Sequence, residues 1–106
     1  MHEYQLRYLP QFHKDLKHHA EYIANKLKNP QAAIDLIDAT DNAILERLPD
    51  AEAFEPYQSR KERRYPYYRI YVKNFIVFYV VTPEGNQKVM EVRRFLFGKS
   101  NWQRRI

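Results

Sequence analysis

The segment FIVFYVV (75–81) limits the fold of this chain more than any other, because all of its residues are apolar or aromatic. The run is far shorter than the roughly 20 residues that a helix needs to cross a bilayer. It has the length of a strand, and a strand that is apolar on both faces belongs at the centre of a sheet. We therefore predict a sheet built around this segment.

Three other segments have the pattern of strands. YQLRYL (4–9) alternates between two faces. YYRIYVK (67–73) leads through a tight turn at Lys73–Asn74 into the central strand, and TPEGN (82–86) leads from that strand into KVMEVRRFLF (88–97). The last three strands are therefore predicted to form consecutive antiparallel hairpins.

Two amphipathic helices are predicted between the first and second strands. Apolar residues recur every three or four positions in two stripes, which comprise Phe12, Leu16, Ala20, Ile23 and Leu27, and then Ala33, Ile37, Thr40, Ile44 and Leu48. Asn29 and Pro30 separate the stripes, since Pro30 suits the first position of a helix and Asn29 suits its cap. We expect helices over 11–28 and 30–48, followed by a long charged loop.

These patterns predict one α+β domain over residues 1–106, in the order β-α-α-β-β-β. The helical hairpin is expected to pack on one face of a small, mostly antiparallel sheet. The chain contains no cysteine, which excludes disulfides and zinc–thiolate sites. The first 20 residues carry charge throughout and have no apolar leader, so we expect a cytoplasmic protein with no membrane segment.

Charge is divided unevenly along the chain. Residues 1–56 contain 6 Lys or Arg and 10 Asp or Glu, a net charge of −4, whereas residues 57–106 contain 12 and 3, a net charge of +9. Such asymmetry indicates that the second half faces a polyanion or an acidic partner. The densest cluster is Arg60, Lys61, Arg63 and Arg64. The alternative for this cluster is a solvated loop.

Alternation along the strands predicts where side chains point. Tyr67, Arg69 and Tyr71 share one face of their strand. On the last strand, alternation separates Met90, Val92, Arg94 and Leu96 from Val89, Glu91, Arg93 and Phe95. The helices cover only one face, so arginines and tyrosines on the other would form a shallow basic surface for phosphates and bases. If Arg94 faces the helices, it needs an acidic partner, for example on the second helix, or a place at the strand's end, and Arg93 is then the outward arginine.

Few residues have the pattern of a catalytic or metal site. His13 and His18 are five positions apart, which is a poor spacing for two metal ligands on a helix, so we predict no metal and no cofactor. A metal-free ribonuclease would use arginines to stabilise the transition state and a weak acid or base to move the proton. Tyr67, Tyr71 and Glu91 are the residues available for the proton.

The order of the predicted strands and helices, together with three sequence motifs, resembles one protein family. RRYPYYRIYV, NFIVFYVV and EVRRFLFGKSNW, following a strand and a helical hairpin, resemble the RelE/ParE superfamily of bacterial type II toxins. The resemblance covers nearly the whole chain, and its ending, VRRFLFGKSNWQRRI, is similar to that of ParE-type members. It implies a growth-inhibiting toxin of a plasmid-stabilisation module, which a cognate antitoxin neutralises.

Two targets are implied by the resemblance. RelE-type members cut mRNA in the ribosomal A site, and ParE-type members poison DNA gyrase. The RelE-type site uses basic residues on the second strand, matched here by Arg69, and an arginine on the fourth, matched by Arg93 or Arg94. It also uses an arginine on the third strand and a Tyr or His in the tail, but FIVFYVV has no basic residue and the tail offers only Trp102. These departures favour gyrase, with ribosome-dependent endoribonuclease and a non-toxic nucleic-acid-binding domain as alternatives.

The site residues implied by this interpretation form three groups. For a ribonuclease, the candidate catalytic residues are Arg69, Arg93 and Arg94. The candidates for binding the target or nucleic acid are Arg60, Lys61, Arg63, Arg64, Tyr67, Arg69, Tyr71, Arg93 and Lys99. An acidic antitoxin is expected to contact Phe97 and Trp102, with a purely core-closing role as the alternative for Trp102. No membrane and no small-molecule cofactor is expected among the partners.

Overall fold

A computed structural model describes residues 4–106 of the chain. Its strands are β1 (Tyr4–Tyr8), β2 (Tyr68–Val72), β3 (Phe75–Glu84) and β4 (Gln87–Phe97), and its helices are α1 (Pro10–Glu21) and α2 (Pro30–Arg47). A π-helical turn, Tyr22–Lys26, continues α1, and short 3-10 turns follow α2 and β4. The predicted α+β class and the order β-α-α-β-β-β are confirmed.

The sheet has four strands in the order β1-β4-β3-β2. β1 runs parallel to β4, whereas β3 is antiparallel to both β4 and β2. The segment FIVFYVV lies in β3, inside the sheet, as its two apolar faces predict. The N-terminal strand pairs with the last strand, so the sheet is mixed but mostly antiparallel.

The helical hairpin turns at the predicted point. The Oδ1 atom of Asn29 accepts a hydrogen bond of 3.1 Å from the Ala32 amide, and Pro30 occupies the first position of α2. The prediction of the buried stripes was wrong at two positions. Leu36 is buried in place of Ile37. Both positions lie about one helical turn from buried Ala33 and buried Thr40, so the spacing fits either residue. Leu27 is exposed, since the π-helical turn before it changes the helical phase.

Two separate apolar cores lie on the two faces of the sheet. The helices pack Phe12, Leu36 and Ile44 against one face of β2, β3 and β4. The other face, called here the outer face, is turned away from the helices. Its core comprises Tyr67, Ile76, Phe78, Val80, Leu96, Trp102 and Ile106, with Tyr57 and Tyr65 at its margin. The expectation of an uncovered outer face was therefore wrong, because a strand that is apolar on both faces needs a second cover, which the 51–67 loop and the C-terminal tail supply.

An irregularity in β4 changes the direction of its side chains. Phe78 pairs with Arg94 and Tyr79 pairs with Val92, so Arg93 is an extra residue in β4. Such a β-bulge interrupts the alternation of a strand. Val92 and Phe95 consequently both belong to the core under the helices, whereas Leu96 belongs to the outer core. The predicted grouping of Arg94 and Leu96 with Val92 was wrong for this reason.

Within residues 4–106, none of the helices combines the length and the hydrophobicity that crossing a membrane would take.

Candidate functional site

Tyr67 is the centre of a cationic site on the outer face. Its buried ring packs edge-on against Phe78, with ring centroids 6.1 Å apart. The guanidinium carbon of Arg63 lies 4.8 Å from the centroid of the Tyr67 ring, and that of Arg93 lies 5.8 Å from it. Both distances are within the range of cation–π attraction. The ring thus brings together one arginine of the loop and one of the β4 bulge.

A second arginine–tyrosine pair lies beside the first. The guanidinium carbon of Arg69 is 5.3 Å from the centroid of the Tyr57 ring. The Tyr57 amide donates a hydrogen bond of 2.7 Å to the Tyr67 carbonyl, which joins the loop to the start of β2. We call Arg63, Arg69, Arg93, Tyr57 and Tyr67 the arginine–tyrosine cluster.

The arginines of this cluster differ in their charge balance. Arg93 donates from Nε to Glu91 at 2.7 Å, and Arg7 donates to the other oxygen of Glu91 at 3.0 Å. Burial alone would raise the pKa of Glu91, but the two arginines outweigh it and lower its pKa, so the carboxylate stays ionised. No carboxylate within residues 4–106 forms an ion pair with Arg63 or Arg69. The buried Nε of Arg63 has no hydrogen-bond partner among the same residues.

Arg94 occupies a different environment from Arg93. It contacts both carboxylate oxygens of Asp15 on α1, at 2.7 and 3.0 Å, and donates to the Arg105 carbonyl at 3.1 Å. Asp15 also accepts from the Phe95 amide at 3.0 Å and from Gln11 at 3.0 Å. Burial alone would raise the pKa of Asp15, but these hydrogen bonds lower it. The predicted need for an acidic partner is met, by the first helix rather than the second.

The remaining predicted basic residues lie around the cluster. Arg60 is exposed, and Lys61 donates from Nζ to the Ile106 carbonyl at 3.3 Å, which ties the loop to the tail. The guanidinium carbon of Arg64 lies 5.5 Å from the centroid of the Tyr65 ring. Lys99 is exposed in the turn after β4. No hydrogen bond, ion pair or cation–π contact within residues 4–106 joins Lys99 to the cluster.

Three aromatic residues named from the sequence have different exposures. Tyr71 is 65% exposed on edge strand β2. Trp102 is only 7% exposed, with its ring centroid 5.0 Å from that of Phe78 and 5.1 Å from that of Tyr57. It therefore closes the outer core. Phe97 lies on the helical side, partly exposed beside Phe75, in a groove of about 550 Å³. The other lining residues of the groove are His18, His19, Tyr22, Ile23, Leu27 and Asn74.

Sequence reasoning missed two residues that define the site. Tyr57 was not considered, although an aromatic ring inside a charged loop signals that the loop packs against something. Asp15 was also missed, although a carboxylate next to the apolar stripe of α1 signals a buried cationic partner. Both contacts join residues far apart in sequence, so local patterns do not identify the partners.

The site has the chemistry of anion binding. Unneutralised guanidinium groups held on aromatic rings offer planar pairs of donors to a phosphate or a carboxylate. Glu91 is a poor proton carrier, because it is ionised and held by two arginines. Proton transfer would therefore depend on a tyrosine.

One comparison with known proteins identifies the family. A sequence model described as the ParE toxin of the type II toxin-antitoxin system, parDE, matches residues 6–102. Neither the curated proteins nor the solved structures gave a significant match. The family match covers nearly the whole chain and confirms the resemblance to the RelE/ParE superfamily. The chain therefore belongs to the ParE toxin family, whose members are the toxins of type II toxin–antitoxin systems.

Proposed function

We propose that this toxin arrests growth by binding DNA gyrase in the cytoplasm, without catalysing a reaction of its own. The match to the ParE toxin family is the observation that carries the proposal. The side chains of the central strand support it. On the outer face β3 presents Ile76, Phe78 and Val80, and the tail covers this surface with Trp102. A catalytic basic residue expected on that strand in RelE-type enzymes has no counterpart here.

The state of the arginines also supports a binding role. Arg94 is held by Asp15, and Arg93 shares Glu91 with Arg7. A ribonuclease needs free cationic groups for the transition state and a proton carrier beside them. Of the three arginines first considered for catalysis, only Arg69 has no carboxylate partner within residues 4–106.

A ribosome-dependent endoribonuclease is the second candidate. The observation that favours it is the placement of Arg69 and Arg93 on the same face, each near a tyrosine ring. Tyr67 would then have to move the proton.

We propose that the cognate antitoxin is acidic and binds partly through Phe97. A complementary charge would speed its encounter with the basic half of the chain, and an apolar anchor would supply affinity. Phe97 is exposed beside an apolar groove, which suits an anchor. Trp102 would reach an antitoxin only if the tail left the outer core.

The test uses purified toxin in two parallel assays. We expect the toxin to inhibit supercoiling by purified gyrase and to leave mRNA intact on translating ribosomes. Antitoxin added before the toxin should prevent this inhibition of supercoiling. Cleavage of mRNA on the ribosome without an effect on gyrase would overturn the proposal in favour of the ribonuclease. If the toxin has no effect in either assay, the remaining interpretation is a non-toxic nucleic-acid-binding domain.

A further inference from the structure

We infer that Arg63 and Arg69 form a binding site for DNA phosphates, through which the toxin contacts the DNA that gyrase holds. The choice of DNA rests on the proposed function, because DNA is the substrate that gyrase holds. The site itself rests on the geometry of the arginine–tyrosine cluster.

The two guanidinium groups are positioned before any ligand arrives. Arg63 lies over the ring of Tyr67 and Arg69 over the ring of Tyr57, at 4.8 and 5.3 Å. A hydrogen bond joins the backbones of Tyr57 and Tyr67, and the two rings pack against Trp102 and Phe78, which contact each other. Stacking on a ring leaves the terminal N–H groups of a guanidinium available, and these groups can donate hydrogen bonds to a phosphate. Less side-chain entropy is then lost on binding.

Arg63 and Arg69 also differ from the three arginines that have carboxylate partners in the described part of the chain. Arg7 and Arg93 share Glu91, and Arg94 is paired with Asp15. Arg63 and Arg69 form no ion pair within residues 4–106. The sequence from 57 to 83 contains only Glu62 as an acidic residue, beside Arg60, Lys61 and Arg64. The local potential is therefore strongly positive, which attracts a polyanion.

A nucleic-acid backbone fits this site better than an acidic protein segment. A protein segment gains most of its affinity from apolar anchors in pockets. The rings of Tyr57 and Tyr67 are already covered, by arginines and by Trp102 and Phe78. A phosphate backbone needs only the charges and donors that the site offers.

The test measures binding of the toxin to a short labelled DNA duplex of arbitrary sequence, without gyrase, at several salt concentrations. Arg63→Ala with Arg69→Ala is compared with Lys14→Ala with Lys26→Ala, which removes the same charge from the helical hairpin. We expect the arginine variant to bind about tenfold or more weakly, with a log–log salt slope smaller by about 2. The lysine variant should bind like wild type. Arg63→Lys with Arg69→Lys should keep the slope and recover part of the affinity.

Equal losses in the arginine and lysine variants would overturn the inference, because net charge alone would then explain binding. Wild-type affinity in the arginine variant would overturn it as well, as would preference for an acidic peptide over the duplex. Inhibition of gyrase is measured on the same preparations. If wild-type toxin binds DNA as expected but does not inhibit gyrase, the proposed target fails and the phosphate site stands. If it inhibits gyrase and the arginine variant inhibits equally, the target stands and the DNA contact fails.

Discussion

Asp15→Ala is expected to lower the free energy of unfolding by about 3 kcal/mol. Asp15 is 8% exposed and contacts both Arg94 and the Phe95 amide, so it joins α1 to the part of β4 that follows the bulge. Its removal leaves a partly buried guanidinium and a buried amide without their acceptor. Such unpaired groups cost far more than the loss of an exposed ion pair.

Urea unfolding at several pH values measures this effect. The pKa of Asp15 is lower in the folded chain than its ordinary value of 3.8, so its contribution is complete above that value and is lost as the pH falls through the folded pKa. Wild type should therefore lose stability in acid more steeply than Asp15→Ala. Asp38→Ala, on the exposed side of α2, is the control and should change stability by less than about 0.5 kcal/mol. A similarly small change in Asp15→Ala would show that this ion pair does not hold the fold.

Trp102→Ala is expected to lower the free energy of unfolding by about 3 kcal/mol or more. The indole ring fills the outer core between Phe78 and Tyr57, so its removal leaves a cavity there. Deletion of residues 99–106 should have a larger effect, because it also removes Ile106 and uncovers Leu96. Thermal or urea unfolding measures both changes.

The matched control for Trp102 is Tyr71→Ala. Tyr71 is an aromatic residue on the same face of the sheet but is 65% exposed, so its removal should leave stability nearly unchanged. Trp102→Phe should recover part of the lost stability. If Trp102→Ala keeps wild-type stability and weakens antitoxin binding alone, the ring belongs to an interface and the core-closing role is wrong.

Periodicity predicted the fold well because each element contains its own signal. The run FIVFYVV, the two stripes and the Asn29–Pro30 break depend on neighbouring residues only. The central strand and the break appear where they were expected, and the stripes do so except at Leu27 and Ile37. The segment FIVFYVV also predicts that both faces of the sheet are covered, which the sequence analysis did not infer. A strand that is apolar on both faces requires two covers, and the helices provide one.

The candidate site was harder to predict because it depends on contacts between distant residues. The bulge at Arg93 is a property of the pairing between β3 and β4, and residue types along β4 do not reveal it. Arg93 contacts Glu91 and the Tyr67 ring, whereas Arg94 contacts Asp15 on α1, so the two adjacent arginines have unrelated roles. Arg94 pairs with a residue 79 positions away. The stacking of Arg69 on Tyr57 likewise depends on how the loop returns to the sheet.

The central claim is that the outer face carries the toxicity. The most direct test is whether Arg69→Ala still arrests growth. A double change of Arg93 and Arg94 is unsuitable, because loss of Arg94 leaves Asp15 unpaired and endangers the fold. Arg69 is suitable, since its side chain has no carboxylate partner within residues 4–106. The hydrogen bond from Arg47 goes to the backbone carbonyl of Arg69, which the substitution keeps.

The measurement is growth after induced expression of wild type, Arg69→Ala and the control Lys14→Ala, with unfolding transitions of the purified proteins. We predict that Arg69→Ala unfolds like wild type but no longer arrests growth, whereas Lys14→Ala remains toxic. An Arg69→Ala protein that is folded and as toxic as wild type would contradict the account and place the active surface elsewhere.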